Sequence, residues 1–390
     1  MLKKTLLRRQ HIPANPERSP QGRRVAITGT RGYPSYYGGF ETLVRRLVPY
    51  LLDRGWQVTV YGRERVAHED PSRDERAELI ETAGLDWKSL STLSFGMTSA
   101  IDAAVDRSDV ALVMNVANGF WLPLLDRRQV PTVVNVDGIE WERAKWGPVA
   151  QRVFRAGARV TANHATTLVY DAQAIRQRWM DRYGRDGIVI PYGGEVHSAL
   201  PVPLGLTSRA YVLLVARFVP ENTVREFFDA VPKLAEVAPV VIVGSGGYGG
   251  ELDARAEELA RIRGVQWLGH VSDDRLLFSL WEHCGAYFHG HSVGGTNPAL
   301  VQAMACGAPV VARDTVYNRE VLGEVGVFTQ PSAEAIADEV LSLLASPGRQ
   351  DRLARLARER AQARYNWDDV CSAYESALAD AVDRRRGSEP

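Results

Sequence analysis

Short apolar, β-branched segments alternate with amphipathic segments along most of the chain. Residues 24–29 predict a first strand, and apolar residues between positions 43 and 52 then recur at the spacing of one helical face. Pro49 lies within that face, so we expect the helix to kink or break there. Further strands are predicted at residues 57–61, 110–114, 132–136, 167–170 and 188–191, then at 211–216, 240–243, 265–268, 286–288 and 309–312. Such alternation is typical of βαβ units and parallel sheets.

The alternation occurs twice, on either side of a proline-rich segment at residues 196–208. The sequence therefore predicts an α/β protein with two Rossmann-like, doubly wound parallel-sheet domains, residues 24–200 and residues 201–365. Ligands of such sheets bind outside the carboxyl ends of the strands. We expect the loops that follow the first strand of each domain to line a shared ligand cleft.

Length, composition and charge narrow the class of protein. A chain of 390 residues with 45% hydrophobic content fits two domains. A formal net charge of +0 gives no general attraction to nucleic acid, so no nucleic-acid partner is predicted. No apolar run reaches the length of a membrane span. Three widely spaced cysteines without a secretory signal favour a reduced, cytoplasmic protein.

The basic arm at residues 1–23 differs from the rest of the chain. It carries lysine and arginine among proline, glutamine and serine, with little apolar periodicity, so we expect it to be disordered. The alternative is a weak contact with anionic lipid, which would place the protein at the inner face of the cell membrane.

A glycine-rich loop, residues 29–41, follows the first predicted strand. Glycine lets the backbone approach a ligand closely, and the helix that starts after Gly39 would direct free N–H groups toward a phosphate. Arg31 stands where the dinucleotide fingerprint has its second glycine, so this loop is not that fingerprint. Gly38 and Gly39 are candidate contacts for a phosphate or a sugar, and a mobile surface loop is the alternative.

A second glycine-rich loop follows the strand predicted at residues 240–243. Gly244, Gly246 and Gly249 match the spacing Gly-x-Gly-x-x-Gly between a strand and a helix. A dinucleotide site also needs an acidic residue about twenty positions later to hold the ribose, and the end of the next strand has none. We therefore favour a tight turn that lines the cleft over a nicotinamide site, and no cofactor is predicted.

Two further segments are suited to phosphate. Arg217 leaves the strand predicted at residues 211–216, and its planar guanidinium matches phosphate oxygens; an ordinary surface ion pair is the alternative. Thr296 or Asn297 is expected to cap a helix whose first residue is Pro298. Because a helix start carries partial positive charge and free donors, it could stabilise a leaving phosphate.

The same region raises the question of a metal. His289 and His291 are possible ligands, but no third ligand lies nearby in the sequence. The chain also contains no Asp-x-Asp pair to hold a divalent cation against a pyrophosphate. We therefore predict no metal. Arg217 and the backbone N–H donors would instead stabilise the negative charge of a pyrophosphate.

Two acidic residues follow a strand that the pattern predicts to be buried. Asp137 and Glu140 come after residues 132–136, which should place them at the ligand-binding end of the sheet. Each could orient the hydroxyl of an acceptor molecule. The alternative is that Asp137 and Gly138 simply form a turn.

These segments together resemble the family-four retaining glycosyltransferases, which have the GT-B fold of two facing Rossmann-like domains. Within that family the chain is most similar to the branch that contains bacterial rhamnosyltransferases of surface polysaccharides. The segments that carry the resemblance lie at residues 28–34, 37–41, 135–141, 190–194, 217–222 and 289–307.

The resemblance implies a retaining, metal-independent hexosyltransferase of polysaccharide biosynthesis. The second domain would hold a nucleoside-diphosphate sugar, with rhamnose as the first guess, and the first domain would hold a glycan or lipid-linked glycan acceptor. The final helix, residues 366–384, would cross back to the first domain. The residues implied as donor contacts are Gly38, Gly39, Arg217, Asn222, Gly244, Gly294, Gly295, Thr296, Asn297 and Gln302.

Three of these positions depart from the wider family. A Glu-x7-Glu motif holds the donor there, but this chain has Gly294 and Gln302 at its two ends, and Asn222 replaces a phosphate-binding lysine. An amide in place of the ribose-binding carboxylate loses about 1–2 kcal/mol of charge-assisted hydrogen bonding. Gln302 therefore leaves open a nucleotide-sugar-binding protein with weakened catalysis. The paired Rossmann-like domains also leave open a nucleotide-sugar epimerase or a dehydrogenase, although the missing ribose-binding acid argues against the dehydrogenase.

Overall fold

The chain folds into two compact units, seen in a computed structural model. The first unit comprises residues 1–142, 146–191 and 368–390, and the second comprises residues 143–145 and 192–367. The division falls after Pro191, whereas the sequence pattern places it after residue 200. The structure describes residues 7–9, 22–35, 38–63, 70, 72–84, 91–106, 108–143, 146–247 and 249–386.

The first unit contains an eight-stranded sheet. Its strands are β1 (Leu7–Arg9), β2 (Arg24–Thr28), β3 (Gln57–Arg63), β4 (Glu78–Thr82), β5 (Val110–Met114), β6 (Thr132–Asn135), β7 (Thr167–Tyr170) and β8 (Ile188–Val189). The strand order is β1-β4-β3-β2-β5-β6-β7-β8, and every pair is parallel except β1 with β4. The order reverses between β2 and β5, which is where doubly wound sheets bind ligands.

Within the described residues, five α-helices connect these strands. They are α1 (Gly39–Asp53), α2 (Ser91–Val105), α3 (Leu122–Arg127), α4 (Pro148–His164) and α5 (Gln173–Tyr183). Two short 3₁₀ helices, Val116–Trp121 and Glu140–Glu142, follow β5 and β6. The predicted α/β class and parallel sheet are confirmed for this unit.

Two expectations for the first unit need correction. Leu7–Arg9 lie inside the arm predicted to be disordered, yet they pair antiparallel with β4 and form the edge strand of the sheet. The rest of that arm up to residue 21 lies outside the described residues. Helix α1 does not break at Pro49. Proline removes one backbone hydrogen bond, but burial of Leu43, Leu47 and Leu51 along one face outweighs that loss.

The second unit contains a six-stranded, wholly parallel sheet. Its strands are β9 (Val212–Val215), β10 (Val240–Val243), β11 (Val265–Trp267), β12 (Ala286–His289), β13 (Val310–Arg313) and β14 (Val327–Thr329). They lie in the order β11-β10-β9-β12-β13-β14, so the order reverses between β9 and β12. This is the second Rossmann-like sheet that the sequence predicts, and it is confirmed.

Helices cover both faces of this sheet. They are α6 (Val224–Ala235), α7 (Glu251–Leu259), α8 (Asp274–His283), α9 (Pro298–Cys306), α10 (Val316–Leu322), α11 (Ala333–Leu344) and α12 (Pro347–Arg364). Leu213 and Leu214, neighbours on β9, belong to separate apolar clusters on opposite faces, and neither is exposed. Burial on both faces explains why these strands are continuous apolar runs in the sequence.

The last helix, α13 (Trp367–Arg386), packs with the first unit. The Tyr374 hydroxyl accepts a hydrogen bond from Asn135 Nδ2 at 2.6 Å. The Glu375 carboxylate accepts one from Trp56 Nε1 at 3.2 Å. Among the described helices, none combines the length and apolarity needed to cross a bilayer.

Candidate functional site

Arg217 lies just after β9, at the point where the strand order of the second sheet reverses. Its side chain is exposed, and its guanidinium forms no hydrogen bond or ion pair within the described part of the chain. Asn222 Nδ2 donates to the Arg217 carbonyl oxygen at 2.9 Å, and Asn222 is only 2% exposed. The sequence analysis predicts Asn222 as a contact of the donor. In the structure its side chain is buried and stabilises the Arg217 loop through this hydrogen bond.

Backbone hydrogen bonds join the Arg217 loop to the loop that follows β12. The Ser292 N–H and hydroxyl both donate to the Glu221 carbonyl oxygen, at 2.9 and 2.8 Å. The Thr223 hydroxyl donates to the Gly290 carbonyl oxygen at 2.5 Å. Thr223 has φ 56°, a left-handed conformation that costs a β-branched residue free energy, so the surrounding bonds must hold it. The two phosphate-suited segments therefore lie side by side.

Helix α9 starts in this region as the sequence predicts. Asn297 Oδ1 accepts a hydrogen bond from Ala299 N at 3.0 Å, and Pro298 is the first helical residue, so the predicted cap is confirmed. Gly295 and Thr296 are buried beside it. Gly294 has φ 102°, and a Cβ built there would meet no atom within 4 Å. Open space in front of Gly294 leaves room for a ligand at the helix start.

Two stacked histidines lie at the end of β12. The His289 and His291 rings are 4.4 Å apart and nearly parallel. Burial lowers the pKa of His289 to about 3, and burial together with nearby positive charges, Arg217 among them, holds the pKa of His291 well below its usual value. Both rings are therefore neutral near pH 7. Among the described residues no group of three or more His, Cys, Asp or Glu side chains is arranged to hold a metal ion.

The carboxylate of Asp253 binds the backbone of the loop that follows β10. The Asp253 carboxylate accepts hydrogen bonds from Gly246 N at 3.0 Å and from Gly250 N at 3.1 Å. Burial opposes ionisation of Asp253, but these bonds and one from Ser245 outweigh it, so its pKa is lowered. Because these backbone donors are already engaged, the loop forms a tight turn rather than an open phosphate cradle.

Both polar atoms of the Gln302 side-chain amide form hydrogen bonds within the protein. Its Oε1 accepts from Glu195 N and its Nε2 donates to Glu195 O, both at 2.9 Å. Nε2 also lies 3.4 Å from the sulfur of Cys306. Gln302 therefore fixes the segment that contains Glu195, and only the second lone pair of Oε1 is left for a donor hydroxyl.

In the first unit, the predicted acceptor residues follow β6. Asp137 has φ 60°, and its N–H donates to Asn135 Oδ1 at 2.8 Å. Asn115, which follows the neighbouring β5, also has a positive φ of 69°. Glu140 is only 3% exposed, and its carboxylate accepts from Trp146 Nε1 at 3.1 Å. Two strained residues at adjacent strand ends mark this edge as a candidate binding site.

The glycine loop of the first unit lies along the same sheet edge. A Cβ on Gly29 would lie 2.4 Å from Met114 O, so only glycine fits between the ends of β2 and β5. Gly38 precedes the first residue of α1, Gly39. A small cavity nearby is lined by residues that include Gly29, Arg63 and Phe95.

Sequence reasoning missed four residues that shape these loops: Glu195, Glu221, Ser292 and Asp253. Glu195 and Glu221 act through backbone atoms, and Ser292 donates its N–H and its hydroxyl to a backbone oxygen. A sequence pattern carries no signal for such contacts. Asp253 did have a signal, because an acid three positions after a helix cap commonly accepts from the cap backbone.

Comparison with known proteins identifies both halves. Residues 38–193 match the family described as a glycosyl transferase 4-like domain, and residues 202–360 match glycosyl transferases group 1. Each half is therefore similar to a glycosyltransferase domain, and the two Rossmann-like sheets match the GT-B fold of solved structures.

Three known proteins show the range of the similarity. The phosphatidyl-myo-inositol mannosyltransferase of Mycobacterium leprae is 32% identical over 213 residues, which are 51% of this chain and 55% of that protein. The sucrose-phosphate synthase structure from Thermosynechococcus elongatus has a TM-score of 0.74 and 19% identity, covering 92% of this chain and 98% of that one. Anabaena HepE, solved in complex with UDP-glucose, has a TM-score of 0.74 and 17% identity, covering 92% and 99%. The chain spans about half the length of the first curated relatives it matches.

Proposed function

We propose that this protein is a retaining, metal-independent glycosyltransferase of polysaccharide biosynthesis that acts in the cytoplasm. It would move a sugar from a nucleoside diphosphate, held by the second unit, to a glycan or lipid-linked glycan, held by the first. The observation that carries the proposal is the exposed Arg217 at the reversal point of a parallel sheet, in a loop hydrogen-bonded to the loop that leads into α9. The HepE complex with UDP-glucose supports the class of donor.

In the proposed reaction, the bond between the anomeric carbon and the diphosphate oxygen breaks. Arg217 and the partial positive charge at the α9 start stabilise the negative charge on the departing diphosphate. The acceptor hydroxyl forms the new bond on the same face of the sugar, and its proton passes to the leaving phosphate oxygen. Asp137 or Glu140 orients the acceptor.

Purified protein incubated with a panel of nucleotide sugars and a glycan acceptor should transfer one of them. We propose a rhamnosyl donor first. Mannosyl and glucosyl donors belong in the panel because one protein named above is a mannosyltransferase and another was solved in complex with UDP-glucose. Mass spectrometry of the acceptor measures transfer, and the one-bond coupling between C1 and H1 of the transferred sugar measures retention. Transfer from no donor in the panel would contradict the proposal.

The alternative of a binding protein with weakened catalysis rests on Gln302. If Gln302 has only its structural role, Gln302→Glu removes the donor to the Glu195 carbonyl, lowers stability by about 1–3 kcal/mol and leaves turnover no higher. Thermal unfolding and the transfer assay test both parts, with Gln302→Met as the control that loses both hydrogen bonds to Glu195 without adding charge. A clear gain in turnover in Gln302→Glu alone would favour the alternative.

A further inference from the structure

Helix α4 carries an exposed basic face in the first unit. Arg152, Arg155 and Arg159 are all exposed, and their spacing of three and four residues puts them on one side of the helix. Val149, one turn before Arg152, is 73% exposed on the same side. The 17 residues of this helix include no acid. We call these four residues the α4 basic face.

The three arginines lack the partners that many other surface arginines have. Ion pairs elsewhere on the surface include Arg176–Asp186, Arg225–Glu251 and Arg319–Asp314. By contrast, the guanidinium groups of the α4 basic face form no ion pair or hydrogen bond with any residue that the structure describes. Like charges three and four residues apart repel one another, so this face is destabilising unless an external anion compensates it.

We propose that the α4 basic face binds the anionic head groups of a lipid bilayer. Anionic lipid attracts basic side chains near its surface, and the head-group boundary also accommodates an apolar side chain such as Val149. A soluble polyanion would neutralise the three arginines but would not bury the exposed Val149 side chain. The surface lies on the unit that we propose holds the acceptor, but the proposal needs no catalytic step and is tested by binding alone.

The full chain should bind vesicles of phosphatidylcholine mixed with phosphatidylglycerol in a flotation assay, and not vesicles of phosphatidylcholine alone. The triple variant Arg152→Gln, Arg155→Gln, Arg159→Gln should bind the anionic vesicles roughly 100-fold more weakly, since each basic residue contributes about fivefold. The matched control changes three exposed arginines of the second unit, Arg261→Gln, Arg263→Gln and Arg275→Gln. It alters net charge equally and should bind like the unchanged protein.

Circular dichroism of the triple variant should match that of the unchanged protein because all three side chains are exposed, and its unfolding temperature should be equal or slightly higher because the repulsion among them is gone. Binding by the unchanged protein should also weaken as salt rises, which tests the charge without any substitution. Equal binding by the triple variant, equal binding to neutral vesicles, or retention on heparin without vesicle binding would each overturn the proposal. Loss of binding only when Lys3, Lys4 and Arg18 are changed to Gln would assign membrane contact to the basic arm instead.

Discussion

Replacing Arg217 with alanine should lower kcat by about 10²–10³-fold, since the guanidinium is proposed to act on charge that develops as the diphosphate departs. The side chain is exposed and its guanidinium forms no hydrogen bond or ion pair within the described part of the chain, so its removal breaks none. Affinity for the nucleoside diphosphate should fall less than kcat, because a group that acts on the transition state contributes less to ground-state binding. Initial rates with the donor that the panel identifies, together with calorimetric binding, measure both quantities.

Two further variants make the Arg217 experiment specific. Arg217→Lys keeps the charge but loses the planar fork, so it should lie between the unchanged protein and Arg217→Ala. Arg261→Ala removes another exposed arginine of the same unit and should leave kcat unchanged. An unaltered rate in Arg217→Ala would remove Arg217 from the mechanism even if the chain proves to be a glycosyltransferase.

The sequence predicts the central strands well because burial on both faces makes them continuous apolar runs. Val240–Val243 and Val110–Met114 are wholly buried, and each lies where the pattern predicts it. The pattern missed Glu78–Thr82 and Leu7–Arg9, which form one edge of the first sheet. Strands at this edge are shorter or carry more polar residues, so they lack the continuous apolar run that marks the central strands.

The candidate site is predictable only in part, for a related reason. The start of α9 has a local signal, because capping by Asn297 and the position of Pro298 depend on neighbours in the sequence. The roles of Asn222 and Gln302 depend instead on bonds to the backbone atoms of Arg217 and Glu195. Such bonds follow from the packed loops, so the residue types alone suggested ligand contacts.

Among alanine substitutions at the glycines in the candidate site of the second unit, Gly244→Ala should lower the free energy of unfolding most. A Cβ at Gly244 would lie 1.8 Å from the Ala216 carbonyl oxygen, and Gly244 has φ 133°, which side-chain-bearing residues rarely adopt. Overpacking against backbone and the backbone strain add to about 3–6 kcal/mol, enough to lower the unfolding temperature of the second unit by roughly 10–20 °C.

The loop contains its own control for that experiment. Gly247 has φ 81°, but a Cβ there meets nothing within 4 Å, so Gly247→Ala tests the backbone strain without the collision. It should cost only about 1 kcal/mol, a few degrees in differential scanning calorimetry. If the two variants unfold at the same temperature, the close approach of Gly244 to Ala216 does not hold the loop against the strand that carries Arg217. Because Arg217 directly follows Ala216, a surviving Gly244→Ala protein should also show a lowered kcat, whereas Gly247→Ala should not.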